Sequence, residues 1–319
     1  MRGPAQAGIV HLRLIVPAAR TEIVLAALER SPAVVNIVHL PRTSLKPPGD
    51  FVLCDVAREE GSVIIDRLLE LGLDEEGSIS VENVDSTLST AATLAASSAA
   101  GSPSDAVVWE EVEAATSESA ELSLTFLAFM ALATMIAALG ILTDSQILII
   151  GAMVIGPEFG PLAGLCVALV EGRRDLAGRS AIALAVGFPL AIVVTTALVL
   201  VLREVEVAPD TLLAQARPRT FFIAHPNTFS VLVALIAGVA GMLSLTTSKS
   251  GALVGVLISV TTIPAAGNIA VAAAYRDGSE LTGATAQLVI NLGCILVAGL
   301  ATLALLRVGF SRRLRRPAR

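Results

Sequence analysis

Leu122–Leu142 and Ser180–Leu202 run for 21 and 23 residues without one charged side chain. A helix needs about 20 mainly apolar residues to cross the hydrocarbon of a bilayer. In lipid every backbone N–H and C=O must be satisfied within the protein, so such segments have helices or closed barrels open to them and little else. Four further stretches complete the pattern: Gln146–Val170, Phe229–Leu245, Gly251–Ala274 and Leu281–Leu306. Six membrane crossings are therefore expected. An apolar share of 54% and a mean hydropathy of +0.77 agree with a chain that partners a lipid bilayer.

Two of the six segments are interrupted. The first carries Gly156-Pro157-Glu158-Phe159-Gly160-Pro161 and the second Thr261-Thr262-Ile263-Pro264-Ala265-Ala266-Gly267. Sliding the chain by 103 positions aligns residues 126–173 with 229–276, and 12 of these 48 positions are identical. Pro161/Pro264, Gly164/Gly267, Thr143/Thr246, Ser145/Ser248 and Arg173/Arg276 are among them, which composition alone does not favour. Three crossings per half is an odd number, so the second half enters the membrane from the opposite side. The expected block is an all-α bundle with two broken helices in an inverted 3+3 repeat, an architecture of many secondary transporters. Its halves are about 122–203 and 226–307, within a membrane domain of 121–310.

Basic residues set the orientation. With the N-terminus inside, Arg173, Arg174, Arg179 and the five arginines of the tail 311–319 are also inside. Both termini are then expected to be cytoplasmic, in a bacterial inner membrane. The N-terminal apolar run is short and broken by His11 and Arg13, so no signal peptide is expected.

The chain ahead of the block is acidic: residues 1–120 carry net charge -10 and the remainder +4, within a total of -6. Period-two and helical patterns alternate along it. Strands are expected at Ile9–Val16, Val34–Leu40 (ended by Pro41), Asp50–Arg58 and Ser78–Val84, with helices at Arg20–Arg30 and Glu60–Leu71, the latter stopped by Gly72. The order βαββαβ describes an α+β ferredoxin-like domain over residues 1–85. The segment 86–120 is read as a linker rich in Ser, Ala and Thr, then an acidic helix, Asp105–Glu121, whose Trp109 packs against the front domain or a neighbouring subunit.

Several function classes fall away. The acidic front and 3% aromatic content oppose nucleic-acid binding. No nucleophile and base pair, metal cluster, phosphate loop or dinucleotide fingerprint is present, so neither catalysis nor a cofactor is expected. Cys54, Cys166 and Cys294 lie too far apart for a metal spacing and read as buried small hydrophobes. His11 and His39 fall on neighbouring strands and invite a metal or pH-sensing idea, but no third ligand accompanies them.

Breaks at membrane depth survive only against protein or a water-filled cavity, and their half-helix ends attract ions or polar groups. Gly156, Pro157, Glu158, Gly160 and Pro161 from the first break, with Thr261, Thr262, Pro264 and Asn268 from the second, are the candidate ion or solute site. Glu158 is the one acid deep in an apolar segment, where charge is costly. Gln287 and Asn291, spaced i and i+4, face the bundle interior and join the list. Asp144 and Ser145 read as N-caps.

The run Gly151-Ala152-Met153-Val154-Ile155-Gly156-Pro157-Glu158-Phe159-Gly160-Pro161, behind a cytoplasmic βαββαβ domain and an acidic helix, resembles the bacterial membrane proteins grouped as domain of unknown function 389, the uncharacterised hydrophobic domain family. The group usually has Ser at the position of Gly156 and an apolar residue at that of Glu158. Glu158 therefore stands outside the shared pattern. The resemblance implies the architecture and no activity. The function expected is a multi-pass transporter or channel-like protein for an ion or small polar solute, regulated by its front domain and assembled as a homo-oligomer. The alternative is a membrane-anchored sensor or scaffold that binds a small ligand or nucleotide through that domain.

Overall fold

The computed structural model describes the backbone of residues 8–84, 87, 89–99, 107–209, 217–246 and 252–314, and their side chains apart from those of 252–261 and 309–314. The protein is mostly helical, with an N-terminal antiparallel four-stranded sheet, and divides into two compact units whose main boundary follows Val112.

In the first unit β1 (Ile9–Val16), α1 (Thr21–Glu29), β2 (Val34–Leu45), β3 (Pro48–Ala57), α2 (Gly61–Glu70), α3 (Leu73–Glu76) and β4 (Ser78–Val84) follow in order. The strands pair antiparallel in the order β2-β3-β1-β4. Alternation along β1 buries Val10, Leu12, Leu14 and Val16, while His11, Arg13 and Ile15 occupy the other face. The buried set packs with Val52, Cys54 and Val56 of β3 and with Val24, Leu28, Ile64, Ile65 and Leu68 of the helices. Each such large side chain contributes roughly 1.5–3 kcal/mol by leaving water.

Two details depart from expectation. Strand β2 does not end at Pro41 but runs to Leu45, with a register shift between Leu40 and Ser44 and Arg42 at φ 54. It is an edge strand, and a bulge spares the ladder the N–H that proline lacks. The stretch read as a linker contains α4 (Thr90–Ser98), Ala-rich and capped by Ser89, whose hydroxyl accepts from the Ala92 N–H at 3.2 Å.

Helix α5 (Trp109–Ser119) is the acidic helix. Its first turn is anchored as expected: the Trp109 N–H donates to Ser62 at 3.0 Å, Ser62 to Glu110 at 2.7 Å, and Arg58 pairs with Glu111 at 2.8 Å.

The second unit contains α6 (Leu124–Leu142), α7 (Gln146–Ile155), α8 (Phe159–Glu171), α9 (Arg174–Glu204), a 3-10 turn at Phe221–Ala224, α10 (Thr228–Thr246), α11 (Ala252–Tyr275) and α12 (Gly278–Leu314). Among the described residues four helices, α6, α9, α10 and α12, are long and apolar enough to cross a membrane. The pair α7 and α8, bent by 50° at its break, makes a fifth if counted as one span.

The expectation of two broken helices is corrected at α11. This segment is continuous helix from Ala252 to Tyr275 with Pro264 inside it, rather than interrupted around Thr261–Gly267. The physical difference lies in the number of prolines. The first segment has Gly156-Pro157 and Gly160-Pro161 within six residues, whereas α11 loses one backbone donor and keeps Ala265 and Ala266, strong helix formers, beyond it.

The interior of this unit sets small residues, Ala133, Ala137, Ala138, Ala152, Ala265 and Ala266, among larger ones such as Met130 and Ile141, while Phe129, Leu132, Ile147, Ile150, Val193 and Phe229 point outward. Lipid supplies no hydrophobic drive between helices, so close approach through small residues takes its place.

Candidate functional site

The break between α7 and α8 follows from local backbone rules. Gly156 adopts φ -60, ψ 122, the extended conformation that a following proline imposes. Helix α8 then starts behind Glu158, whose carbonyl accepts from the Leu162 N–H at 3.2 Å. The Glu158 side chain is fully buried, and its Oε1 accepts from the Thr262 hydroxyl of α11 at 2.7 Å. Residues 104 positions apart, one from each proline-bearing segment, thus meet in the interior.

Gly156 is tightly enclosed, so a side chain there would force its neighbours to shift. A Cβ there would lie 2.5 Å from Glu158 Oε2 and 2.7 Å from Ile263 Cγ1, closer than any side-chain carbon tolerates. Pro161 and Pro264 are both buried, and Pro157 and Gly160 are half-buried beside the break.

Two pockets reach these segments. One of about 490 Å³ has Gly156, Pro157 and Gly160 in its wall, with Glu118, Glu121, Ser123 and Thr125 around them. The other, of about 250 Å³, is formed by Pro264 and Gln287 with Phe222, Asn227, Phe229 and Ser230. The two lie toward opposite ends of α6. Ser123, in the first pocket, caps the start of α6, and Leu245 at the end of α10 joins it there. At the other end of α6, Asp144 accepts from the Arg219 N–H at 3.2 Å and the Thr220 hydroxyl at 2.9 Å, holding the segment that leads into Phe222 of the second pocket. Asp144 is therefore a tether at φ 46 rather than a helix cap; the cap is Ser145.

The other expected residues divide. Gln287 donates to Asn291 Oδ1 at 3.1 Å, the i and i+4 pair facing inward as anticipated. Asn268 is drawn away from Glu158 and donates to Glu280 Oε2 at 3.1 Å, where Arg217 pairs with the other carboxylate oxygen. The Thr261 side chain lies outside the described residues.

Residues 153–297 match the model of the family described as Domain of unknown function (DUF389). The match falls within the helical part of the chain. The matched stretch runs from the end of α7 into α12 and contains every candidate residue from Gly156 to Asn291. The uncharacterized protein MJ0678 of Methanocaldococcus jannaschii is 26% identical over 158 residues, 50% of this chain and 47% of that protein. The chain thus spans about half the length of the curated relative it matches. No solved structure gives a significant match.

Within the matched region, Glu280, in the first turn of α12, and its partner Arg217, ahead of the 3-10 turn, were not singled out from sequence. A signal was present: Glu280, Gln287 and Asn291 stand at i, i+7 and i+11, a single stripe of α12.

In the first unit the two histidines do not share a site. His11 bonds Asp55 at 2.7 Å, with Asn36 donating to the same carboxylate, while His39 bonds Asp50 at 2.9 Å. Asp50 also accepts from the Arg42 N–H and the Thr21 hydroxyl, both at 2.8 Å, and these bonds, Arg42's first, hold its pKa down to about 2. Burial pushes the Cys54 thiol up to about 12, so it is an inert core residue. Among the described residues no group of three His, Cys, Asp or Glu side chains is arranged to hold a metal.

Proposed function

We propose that this chain is a multi-pass membrane protein that passes an ion or small polar solute between its proline-bearing segments, with the sheet unit as a regulatory domain. The observation that carries the reading is the buried bond from Thr262 to Glu158. It joins two segments that the 103-residue shift makes equivalent, with Pro161 matched to Pro264. An ionisable side chain at that depth is costly to bury, and such residues by default mark a path or a relay.

The reading counts six crossings, with α7 plus α8 as one and α11 as another, in two inverted halves. The arrangement of ends around α6 supports it: the close of α10 lies by the start of α6, and the segment leading to α10 lies by the end of α6. In the first unit, the order βαββαβ with strands β2-β3-β1-β4 supports a ferredoxin-like fold. The basic residues favour an inner-membrane protein with cytoplasmic termini. Transport rather than catalysis is the activity proposed, and the small-residue surfaces suit homo-oligomeric packing.

The test is reconstitution of purified full-length protein in liposomes. The expected result is solute flux that falls on changing Glu158, Pro161 or Pro264. Absence of flux for every ion and small polar solute tried would overturn the reading.

A further inference from the structure

We infer that the solute is a cation, admitted through the acidic pocket and neutralised in passage at Glu158; this rests on the transport reading above. Three observations on different parts of the unit converge on positive charge.

The first is the mouth. The larger pocket carries Glu118 and Glu121 with the hydroxyls of Ser119, Ser123 and Thr125, and among the described residues none that lines it is basic. A concave, low-dielectric wall of one sign concentrates the opposite charge. The second is the floor. Gly156 lies against the Glu158 carboxylate so closely that a methyl group at 156 would touch Oε2, and Gly156 itself lines the pocket with Pro157, Phe159 and Gly160. The third is the far side. Glu158 is bonded to Thr262, and two residues further along α11 Pro264 borders the smaller pocket, whose polar groups are the neutral Asn227, Ser230 and Gln287.

The pockets are also related by the repeat. Phe126 borders the larger one and Phe229 the smaller, and these two phenylalanines are partners under the 103-residue shift. With the pockets toward opposite ends of α6, Glu158 follows Pro157 in the wall of one and Thr262 stands two residues before Pro264 in the wall of the other. An anion on this route would meet carboxylates at the mouth and in the interior, with no basic lining side chain among the described residues to offset them. A proton or an alkali ion would instead neutralise the carboxylate: the proton adds to a carboxylate oxygen on entry and leaves from the same oxygen on exit.

The experiment uses full-length protein in liposomes under imposed gradients. Proton flux is followed by an entrapped pH dye, sodium and rubidium by tracer uptake, and chloride and glycerol serve as the anionic and neutral probes. We expect proton or alkali-ion flux, lowered at least tenfold in Glu158→Gln and partly retained in Glu158→Asp. The double variant Glu118→Gln/Glu121→Gln, at exposed positions that leave packing intact, should slow cation entry several-fold at low ionic strength and little at high salt. The dye and tracer arms tell a proton from an alkali ion. Chloride or glycerol flux without cation flux would overturn the inference and leave the transport reading standing. Cation flux indifferent to both the Glu158 and the Glu118/Glu121 changes would also overturn it. No flux of any probe would remove both.

Discussion

The two units build their interiors differently. The sheet unit encloses large side chains, Leu12, Leu14, Leu28, Ile64, Ile65 and Leu68, whereas the helical unit sets many alanines among a few large residues such as Met130, Ile141 and Leu162 and turns other large apolar residues outward. In water the driving force is apolar area removed from solvent, so bulk belongs inside. Against lipid that force vanishes between helices, and what remains is contact at close range. The buried acids differ in the same sense. Asp50 is fixed by three donors from its own unit, while Glu158 is bridged by Thr262 from a facing helix at a break.

The sharpest way to break this contrast is to put bulk at a close approach between helices. At Gly267 a Cβ would lie 2.8 Å from that of Ala137 and 3.1 Å from the Ala138 backbone nitrogen. Gly267→Leu should cost more than about 4 kcal/mol, read as loss of monodisperse protein in detergent, while Phe229→Leu on the outer surface should be neutral. Next in size, Leu14→Ala should destabilise the sheet unit by about 2–5 kcal/mol. Trp109 is the single tryptophan and is buried at Ser62, so its fluorescence during denaturant unfolding reports this change.

A smaller effect is expected at Asp50. Its folded pKa of about 2 lies below the ordinary 3.8, so its contribution is full above pH 3.8 and is lost as pH falls toward 2. Asp50→Asn should cost about 1–3 kcal/mol at neutral pH and flatten the acid limb of the Trp109 unfolding profile between those values. The smallest expected signal is at Cys54: with its thiol at about 12, it should resist maleimide at pH 7 in the folded protein and react after denaturation.

Periodicity made the strands β1 and β4 legible to the residue, and apolar length found the helices. The break at Gly156-Pro157 was legible because the rule is local: a residue before proline leaves the helical region. Continuity through Pro264 was not, since whether a helix absorbs one proline depends on its packing. The extension of β2 past Pro41 needed knowledge that this strand lies at the sheet edge. The repeat brought the Glu158 and Thr262 segments together before any coordinates did. The tie of Asn268 to Glu280 and Arg217 instead joins parts of the chain that no local pattern relates.

Helix α12 also has a consequence along the membrane normal. Its 37 residues span about 55 Å at roughly 1.5 Å each. Glu280, paired with Arg217, stands near one end, and Arg307, paired with Glu171 at 2.9 Å, lies toward the other. About 40 Å separates them along the helix, close to the thickness of a bilayer with its headgroups. The two ion pairs act as a gauge: a membrane several Å thinner would force α12 to tilt or expose apolar surface, at a cost of fractions of a kcal/mol per Å. Bilayer thickness would thereby bear on the tilt of α12, the longest of the described helices.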